Sequence, residues 1–388
     1  MDPNKQPPRE LLDRTASRMR ELFDDGSPGV IRAVGPVFTP EQVFEWIKQA
    51  HPRANANTSR DKIIALKQSW GLSPPTPPDR AQADPGRSAE IFRSGALILD
   101  PTPFLPNPAD TFNAWIERAR ALLGGEFGMQ APGIECASWD AFERLQALLA
   151  PVLALTGPRS HRFNAFLGDY RVTPFRFHVD PHHECVFQYV LTGRRRGLFW
   201  DGLTLSEDRD AAWVEDTNAL HTPRREPDTI IDLEPGDLVF WPGTHVHGFE
   251  VDGPSLALSI VVDRASPRQK QDVVAGLEIA TIAGRAALPA IDEDAAVNPD
   301  HELIRRSPFG LAYERFDDTL IVGVCGRTIE WPDPGSVAVA MGLFDQLRSS
   351  ERAVARDLIH AHACARLPAD DVIGVLSMLV GLGYLRPE

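Results

Sequence analysis

The sequence predicts an α+β protein centred on an antiparallel jelly-roll sandwich, with helices before and after it. Between about residues 160 and 263, eight short apolar runs follow one another with turn residues between them: HRFNAFLG, FRFHVD, ECVFQYVLTG, GLFWDG, TIIDL, DLVFW, HVHGFEV and SLALSIVVD. Strands this close, with no helical spacing between them, pair antiparallel rather than through βαβ crossovers. On both sides of this block the apolar residues recur at helical spacing. A chain of 388 residues, 43% apolar and 24% charged, has globular composition and enough length for two or three domains.

Along the chain, RELLDRTASRMRELF and TPEQVFEWIKQA read as amphipathic helices within the first 70 residues. Residues 71–89, GLSPPTPPDRAQADPGRSA, crowd prolines into a polar stretch and read as a linker. GALILD (95–100) is a short strand. Phe112, Trp115, Ile116, Ala119, Leu122 and Leu123 then fall on one helical face, opened by Asn107-Pro108 and closed by Gly124-Gly125. A second helix is expected from Trp139 to about Leu149, stopping before Pro151. LEPGDLVFWPGTHVH sets a buried strand between two Pro-Gly turns. Beyond Asp263 helical spacing returns through about Ala287.

The C-terminal stretch gives a helix in SSERAVARDLIHAHA, a loop, and a helix in DDVIGVLSMLVGLGYL. In the latter, Val372, Val375, Leu376 and Leu379 share a face, Asp370 or Asp371 caps it, and Gly383 ends it. Short helices followed by GYL suggest a winged helix.

Charge and cysteines narrow the function classes. Cys136, Cys185, Cys325 and Cys364 form no CxxC pair, which fits a reducing cytoplasm and argues against a cysteine zinc site. The net charge of −14 disfavours nucleic acid as a partner; it suits solubility, or a basic partner. No apolar run approaches the ~18 residues of a membrane span. The opening MDPNKQPPRELLDR lacks the apolar core of a secretory signal. A cytoplasmic protein with no membrane partner is therefore expected.

The chemistry concentrates in FRFHVDPHHE. His178 and Asp180 lie two apart in an expected strand and so share its inward face. A buried Asp beside a buried His is costly unless a cation holds both. Further on, FWPGTHVHGFEV offers His245 and His247, which have the same strand parity. Two His and one carboxylate on one side of an ion make the facial set of non-haem Fe(II) oxygenases, leaving positions for a bidentate co-substrate and O2. HxD alone is a common pair, read first as an ordinary hydrogen-bonded strand end. HxD followed about 65 residues later by PGxxxH, inside one β block, is far more specific. His182 and His183, after Pro181, read as turn residues on the surface.

At these residues the chain resembles the JmjC-type 2-oxoglutarate oxygenases, most closely their ribosomal-oxygenase-like (cupin-4) branch. HVDPHHECVFQYVLTGRRRGLFW matches that branch's HxD, strand and basic segment. The branch's second motif has a proline five residues before the metal His, and counting from Pro242 gives His247 rather than His245. PHHEC is two residues longer than the family spacing, and GLFW displaces the aromatic that usually follows the basic residues.

The resemblance implies a double-stranded β-helix (jelly-roll, or cupin) core with flanking helices, a helical linker or dimerisation region, and a C-terminal winged helix. The boundaries are residues 1–89 for the N-terminal helices and linker, 90–264 for the catalytic domain, 265–330 for the helical region and 331–388 for the winged helix. It implies Fe(II) held by His178, Asp180 and His247, with 2-oxoglutarate and O2 as co-substrates. The family's basic residue falls two past the glycine, at Arg195 after Gly193, and parity turns Arg194 and Arg196 the other way. An Arg fork suits a bidentate carboxylate. Asn164 and Ser259 match family positions near the co-substrate, and read equally as structural hydrogen-bonders. Trp241 and Phe249 read as core.

The implied reaction is hydroxylation of an amino-acid side chain, at Cβ, in a protein or peptide by a homodimeric enzyme. The substrate would be a ribosomal protein or a ribosomally made precursor peptide. The alternatives are a metal cupin that does not use 2-oxoglutarate, such as an isomerase or thiol dioxygenase, and a JmjC-type N-demethylase.

Overall fold

The computed structural model describes residues 9–35, 37–51, 89–94, 96–98, 100–156, 161–173, 177–180, 182, 184–202, 214–215, 221–222, 225–263, 294–306, 311–316, 319–324, 327–331, 337–364 and 367–388. The proline-rich linker up to residue 88, the helix expected up to Ala287, His183 and Cys325 lie outside these. The chain divides into two compact units, residues 1–141 with 162–264 and residues 142–161 with 265–388.

In the first unit, α1 (Arg9–Asp25) and α2 (Pro40–Ala50) form where the apolar spacing places helices. The Thr39 hydroxyl accepts the Gln42 N–H at 3.1 Å, capping α2, which buries Val43, Phe44, Trp46 and Ile47. Between them lies a strand the sequence did not announce, β1 (Gly29–Ile31). β2 (Glu90–Arg93) and β3 (Ala96–Leu97) form a hairpin, and among the described residues of the expected GALILD strand Ala96 and Leu97 are in the strand. α3 (Phe112–Leu123) starts at a Thr111 cap and ends on Gly124 at φ +71°. It buries Phe112, Trp115, Ile116, Ala119 and Leu123, whereas Leu122 faces solvent at 57% exposure. After β4 (Phe127–Pro132), α4 (Trp139–Thr156), which belongs to the second unit from Phe142 on, continues through Pro151 where a stop was expected, giving up one intrahelical hydrogen bond because proline has no N–H.

The central sheet joins β1 to β4 with β5 (His161–Asp169), β6 (His178–Val179), β7 (Glu184–Asp201), β10 (Thr229–Leu233), β11 (Leu238–Pro242) and β12 (His245–Asp263), while β8 (Val214–Glu215) and β9 (His221–Thr222) pair separately. Strand order is β1-β11-β7-β12-β5-β4-β2-β3, with β10 on β7 and β6 on β12. Two pairs of expected strands are continuous: ECVFQYVLTG and GLFWDG form β7, and HVHGFEV and SLALSIVVD form β12.

The turns expected between them are corners within the strands. Gly193 has φ +80° and Gly253 φ +74°, and the β7–β12 register shifts between Asp252 and Leu256. A Cβ on Gly193 would stand 2.7 Å from Ser255 Cβ and 2.8 Å from the Pro254 carbonyl oxygen, so the strands approach this closely only at glycine. Before the corner β7 pairs with β11 and with residues 256–263; after it, with β10 and residues 245–252. The two halves close on one core, with Val186, Val190, Val239, Trp241 and Val261 from the first and Phe199, Ile231, Leu233, Phe249 and Val251 from the second.

The second unit corrects the expected helical region. Among its described residues, β13 (Glu302–Arg305), β14 (Leu311–Phe316), β15 (Thr319–Val324) and β16 (Arg327–Glu330) are strands. Leu320, Val322 and Val324 are buried at alternate positions, a period of two that favours strand over helix. β14, β15 and β16 form one antiparallel sheet. α5 (Val337–Ser349), β17 (Arg352–Val354), α6 (Ala355–His362), α7 (Ala369–Gly381) and β18 (Leu385–Pro387) follow, and β13 lies between β17 and β18. The SSERAVARDLIHAHA segment is thus strand before it is helix. α7 buries Val372, Val375, Leu376 and Leu379; its N-cap is Pro368, with Asp370 and Asp371 in the first turn.

Candidate metal centre

β6 and β12 build the centre. His178 pairs across the ladder with His247, and Val179 with Val246. The two imidazoles therefore stand side by side, ring centroids 4.4 Å apart. Asp180 lies just past β6 and reaches both: Oδ1 is 3.8 Å from His178 Nε2 and Oδ2 is 3.7 Å from His247 Nε2. One ligand atom from each residue lies within 4.8 Å of the others, close enough to share one ion. The His247 side chain is 4% exposed and that of His178 45%, so the set runs from a buried wall to an open rim.

The protonation states suit a metal. Burial, with the His178 ring adjacent, pushes the His247 pKa from 6.5 to about 4 against the pull of Asp180, so the ring is uncharged near neutrality. Its Nδ1 lies 3.3 Å from the His245 carbonyl oxygen; a proton donated there leaves the Nε2 lone pair facing Asp180 and His178. Burial alone would raise the Asp180 pKa, but the His247 and His178 rings and the Trp241 N–H outweigh it and hold the carboxyl below its ordinary range. Trp241 Nε1 donates to Asp180 Oδ2 at 3.1 Å. Neutral imidazole and ionised carboxylate are the forms that bind metal, and the residues fit such an ion.

His245 does not join them despite its parity. It is half-buried, its Nδ1 lies 3.2 Å from the Thr244 hydroxyl, and its charged neighbours are Asp201 and Asp228. His182 is exposed.

A cavity of about 110 Å³ opens beside the triad, walled by Trp241, Phe249, Val186 and Val261 and by polar groups from β5, β7 and β12. Arg195 is the most telling of these. It is 3% exposed, whereas the side chains of Arg194 and Arg196 are 73% and 50% exposed. Its Nη1 donates to Gln188 Oε1 at 3.2 Å; its Nη2 donates to Ser255 Oγ at 3.1 Å, the Phe166 carbonyl at 3.3 Å and Tyr170 Oη at 3.4 Å. All four partners are neutral, and its Nε has none among the described residues. The cavity's other arginine, Arg162, is neutralised by a two-pronged pair with Glu184 at 2.8 and 2.7 Å.

Asn164, 5% exposed, lines the same cavity, and its Oδ1 has no hydrogen-bond partner among the described residues. Ser259 lies opposite Gln188 on the ladder and accepts its Nε2–H at 2.9 Å. The structure thus brings all six expected site residues to one cavity. Sequence reasoning passed over Gln188, Tyr170 and Ser255, and took Trp241 for core alone. A signal existed for Gln188: it is the polar member of an inward-facing row with Val186 and Val190.

No protein-family model matches the chain, and no curated protein does. Among solved structures, the chain is similar to Escherichia coli YcfD, with a TM-score of 0.47 at 15% identity over 95% of this chain and 98% of that one. YcfD, a ribosomal oxygenase, in complex with cobalt and 2-oxoglutarate gives a TM-score of 0.46 at 14% identity, over the same shares of the two chains. The non-haem α-ketoglutarate-dependent epimerase SnoN of nogalamycin biosynthesis gives 0.32 at 13% identity, over 65% and 82% of the two chains.

Proposed function

We propose that this chain is an Fe(II)- and 2-oxoglutarate-dependent oxygenase that hydroxylates an amino-acid side chain, at Cβ, in a protein or ribosomally made precursor peptide. The observation that carries the reading is Arg195. A guanidinium taken out of water and hydrogen-bonded, among the described residues, only to neutral groups has no carboxylate paired with it there, a costly state unless a ligand supplies one. A carboxylate meets that need, and Arg195 shares its cavity with the His178, Asp180 and His247 set.

In this reading those three residues hold Fe(II) and Arg195 anchors the far carboxylate of 2-oxoglutarate. Bound Fe(II) would supply O2 activation coupled to oxidative decarboxylation of the co-substrate to succinate and CO2, with the oxidising equivalent spent on a substrate C–H bond. The protein's part is placement. Gln188 and Ser255 fix the Arg195 fork, Trp241 aims Asp180, and the Trp241, Phe249 and Val261 wall keeps water from the reacting atoms. Asn164 and Ser259 stand ready to bond the co-substrate.

Support for a protein or peptide substrate comes from the HxD, GRRR and PxxxxH resemblance, with the acidic charge balance favouring a basic partner. The two-layered bend of β7 and β12 supports a cupin-type double-stranded β-helix. Three helices beside the β17-β13-β18 sheet support a winged helix, with β13 added from residues assigned to the helical region. A homodimer and a cytoplasmic location belong to the same reading. Among the described residues no helix is long and apolar enough to cross a membrane.

The test is anaerobic titration of the metal-free chain with Fe(II) and then 2-oxoglutarate, following the weak visible band of a chelated keto acid. Wild type should show the band and His178→Ala should not. Arg195→Ala should keep iron but lose 2-oxoglutarate affinity by about 2–4 kcal/mol, the range for truncating a buried charged hydrogen-bonding partner. Iron binding with no band would move the chain to the cupins that do not use 2-oxoglutarate; no iron binding would sink the enzyme reading.

A further inference from the structure

Among the described residues, the main-chain pairing around His178 is short. β6 is two residues long, contributes two ladder pairs, and both of its residues are exposed. The residue before it is not exposed. Phe177 is 7% exposed and packs with Trp200 and Val246, with Val172 and Leu198 around them. Its ring meets Trp200 edge-on at 5.3 Å and 86°, and Trp200 is itself fixed by Nε1 donating to the Arg225 carbonyl at 2.7 Å.

The ring also lies on bare backbone. A Cβ built on Gly248 would overlap Phe177 ring carbons, so the notch exists only because residue 248 has no side chain. Gly248 directly follows His247, and Phe177 directly precedes His178. Upstream, Thr173 is bound to the same stretch of β12, its N–H and hydroxyl both donating to the Phe249 carbonyl and its Oγ1 accepting the Phe249 N–H at 2.8 Å.

We propose that Phe177, seated in the notch at Gly248, is the positioning residue that sets His178 opposite His247. The proposal rests on reading His178, Asp180 and His247 as a metal site. A short, solvent-facing strand has little of its own to fix its register; a buried aromatic on one end supplies that fixity in a single contact.

The test is Co(II) affinity and visible absorption of the metal-free full chain, with thermal unfolding in parallel. The variants are wild type, His178→Ala, Gly248→Ala, Phe177→Ala and the double variant His178→Ala with Gly248→Ala. Gly248→Ala and Phe177→Ala should each weaken Co(II) by about 10–100-fold and give the band shape of His178→Ala, as expected on loss of an orienting neighbour. In the double variant Gly248→Ala should add nothing, because its effect passes through His178. Wild-type affinity in both Gly248→Ala and Phe177→Ala overturns the proposal, as does multiplication of the two effects in the double variant. If Gly248→Ala fails to fold, Phe177→Ala, which leaves the glycine in place, decides alone. Equal Co(II) affinity in wild type and His178→Ala would overturn the metal reading itself, a result distinct from the others.

Discussion

An imidazole that refuses a proton when folded makes the fold sensitive to acid. The buried His247 has its pKa pushed to about 4, while in the unfolded chain it returns to 6.5. Between those values the unfolded state binds a proton that the folded state does not, so acid favours unfolding across this window. His51 adds to this: burial pushes its pKa to about 4 against its hydrogen bond with the Pro132 carbonyl. Asp180 contributes in the opposite sense of charge and only at lower pH, where its carboxyl, held below 3.8, finally takes a proton. The metal-free chain should keep full stability above pH 6.5 and lose roughly 3 kcal/mol through His247 on descending to pH 4. Urea midpoints at several pH values measure this, and His247→Gln should flatten the slope; an unchanged slope in that variant would refute the assignment. At this scale the grouping of His178, Asp180 and His247 was legible because HxD and the proline-spaced His are local patterns. The Arg195 cradle was not, since Phe166, Tyr170, Gln188 and Ser255 are neutral, ordinary residues brought together from distant parts of the chain.

At the scale of elements, β7 and β12 show where reading by punctuation falters. Thr192-Gly193 and Asp252-Gly253-Pro254 are turn signals, yet the backbone only bends there and both strands continue. The apolar rows on either side were legible; continuity across the bend was not, because it depends on the partner strand bending at the same level. Gly193→Ala should therefore cost about 1–3 kcal/mol, toward the upper end, since a positive φ and a backbone clash coincide. Gly253→Ala, with a positive φ but nothing within 4 Å of its Cβ, should cost about 1 kcal/mol. Equal urea midpoints for the two variants would contradict the close-approach argument. The stretch from Glu302 to Glu330 was misread for a different reason: its strands are short, and a helical assignment carried over from a resemblance outweighed the local alternation at Leu320, Val322 and Val324.

For the molecule as a whole, charge is the property a partner meets first. With a net charge of −14, duplex DNA should not bind detectably even at about 50 mM salt, where phosphate contacts are strongest. A lysine-rich peptide should bind with an affinity that falls as salt shortens the screening length from ~10 Å at 0.1 M. Fluorescence anisotropy of labelled DNA and peptide measures both, and tight DNA binding would point the C-terminal helices toward a different role. The division into two units was half legible. The end of the β-rich block at Asp263 shows in the sequence as a change of texture, whereas the assignment of residues 142–161 to the other unit does not.

Arg195 also has a consequence for the protein at rest. Its positive charge is permanent, its hydrogen-bond partners among the described residues are all neutral, and a guanidinium cannot be discharged by giving up a proton. An empty pocket is then the least comfortable state available, and any abundant small dicarboxylate is a better tenant than water. The chain should leave the cell with such a passenger aboard, recoverable from denatured protein by mass spectrometry and missing from Arg195→Ala. Affinities measured on the purified protein would then report exchange of one acid for another rather than the filling of a vacant site.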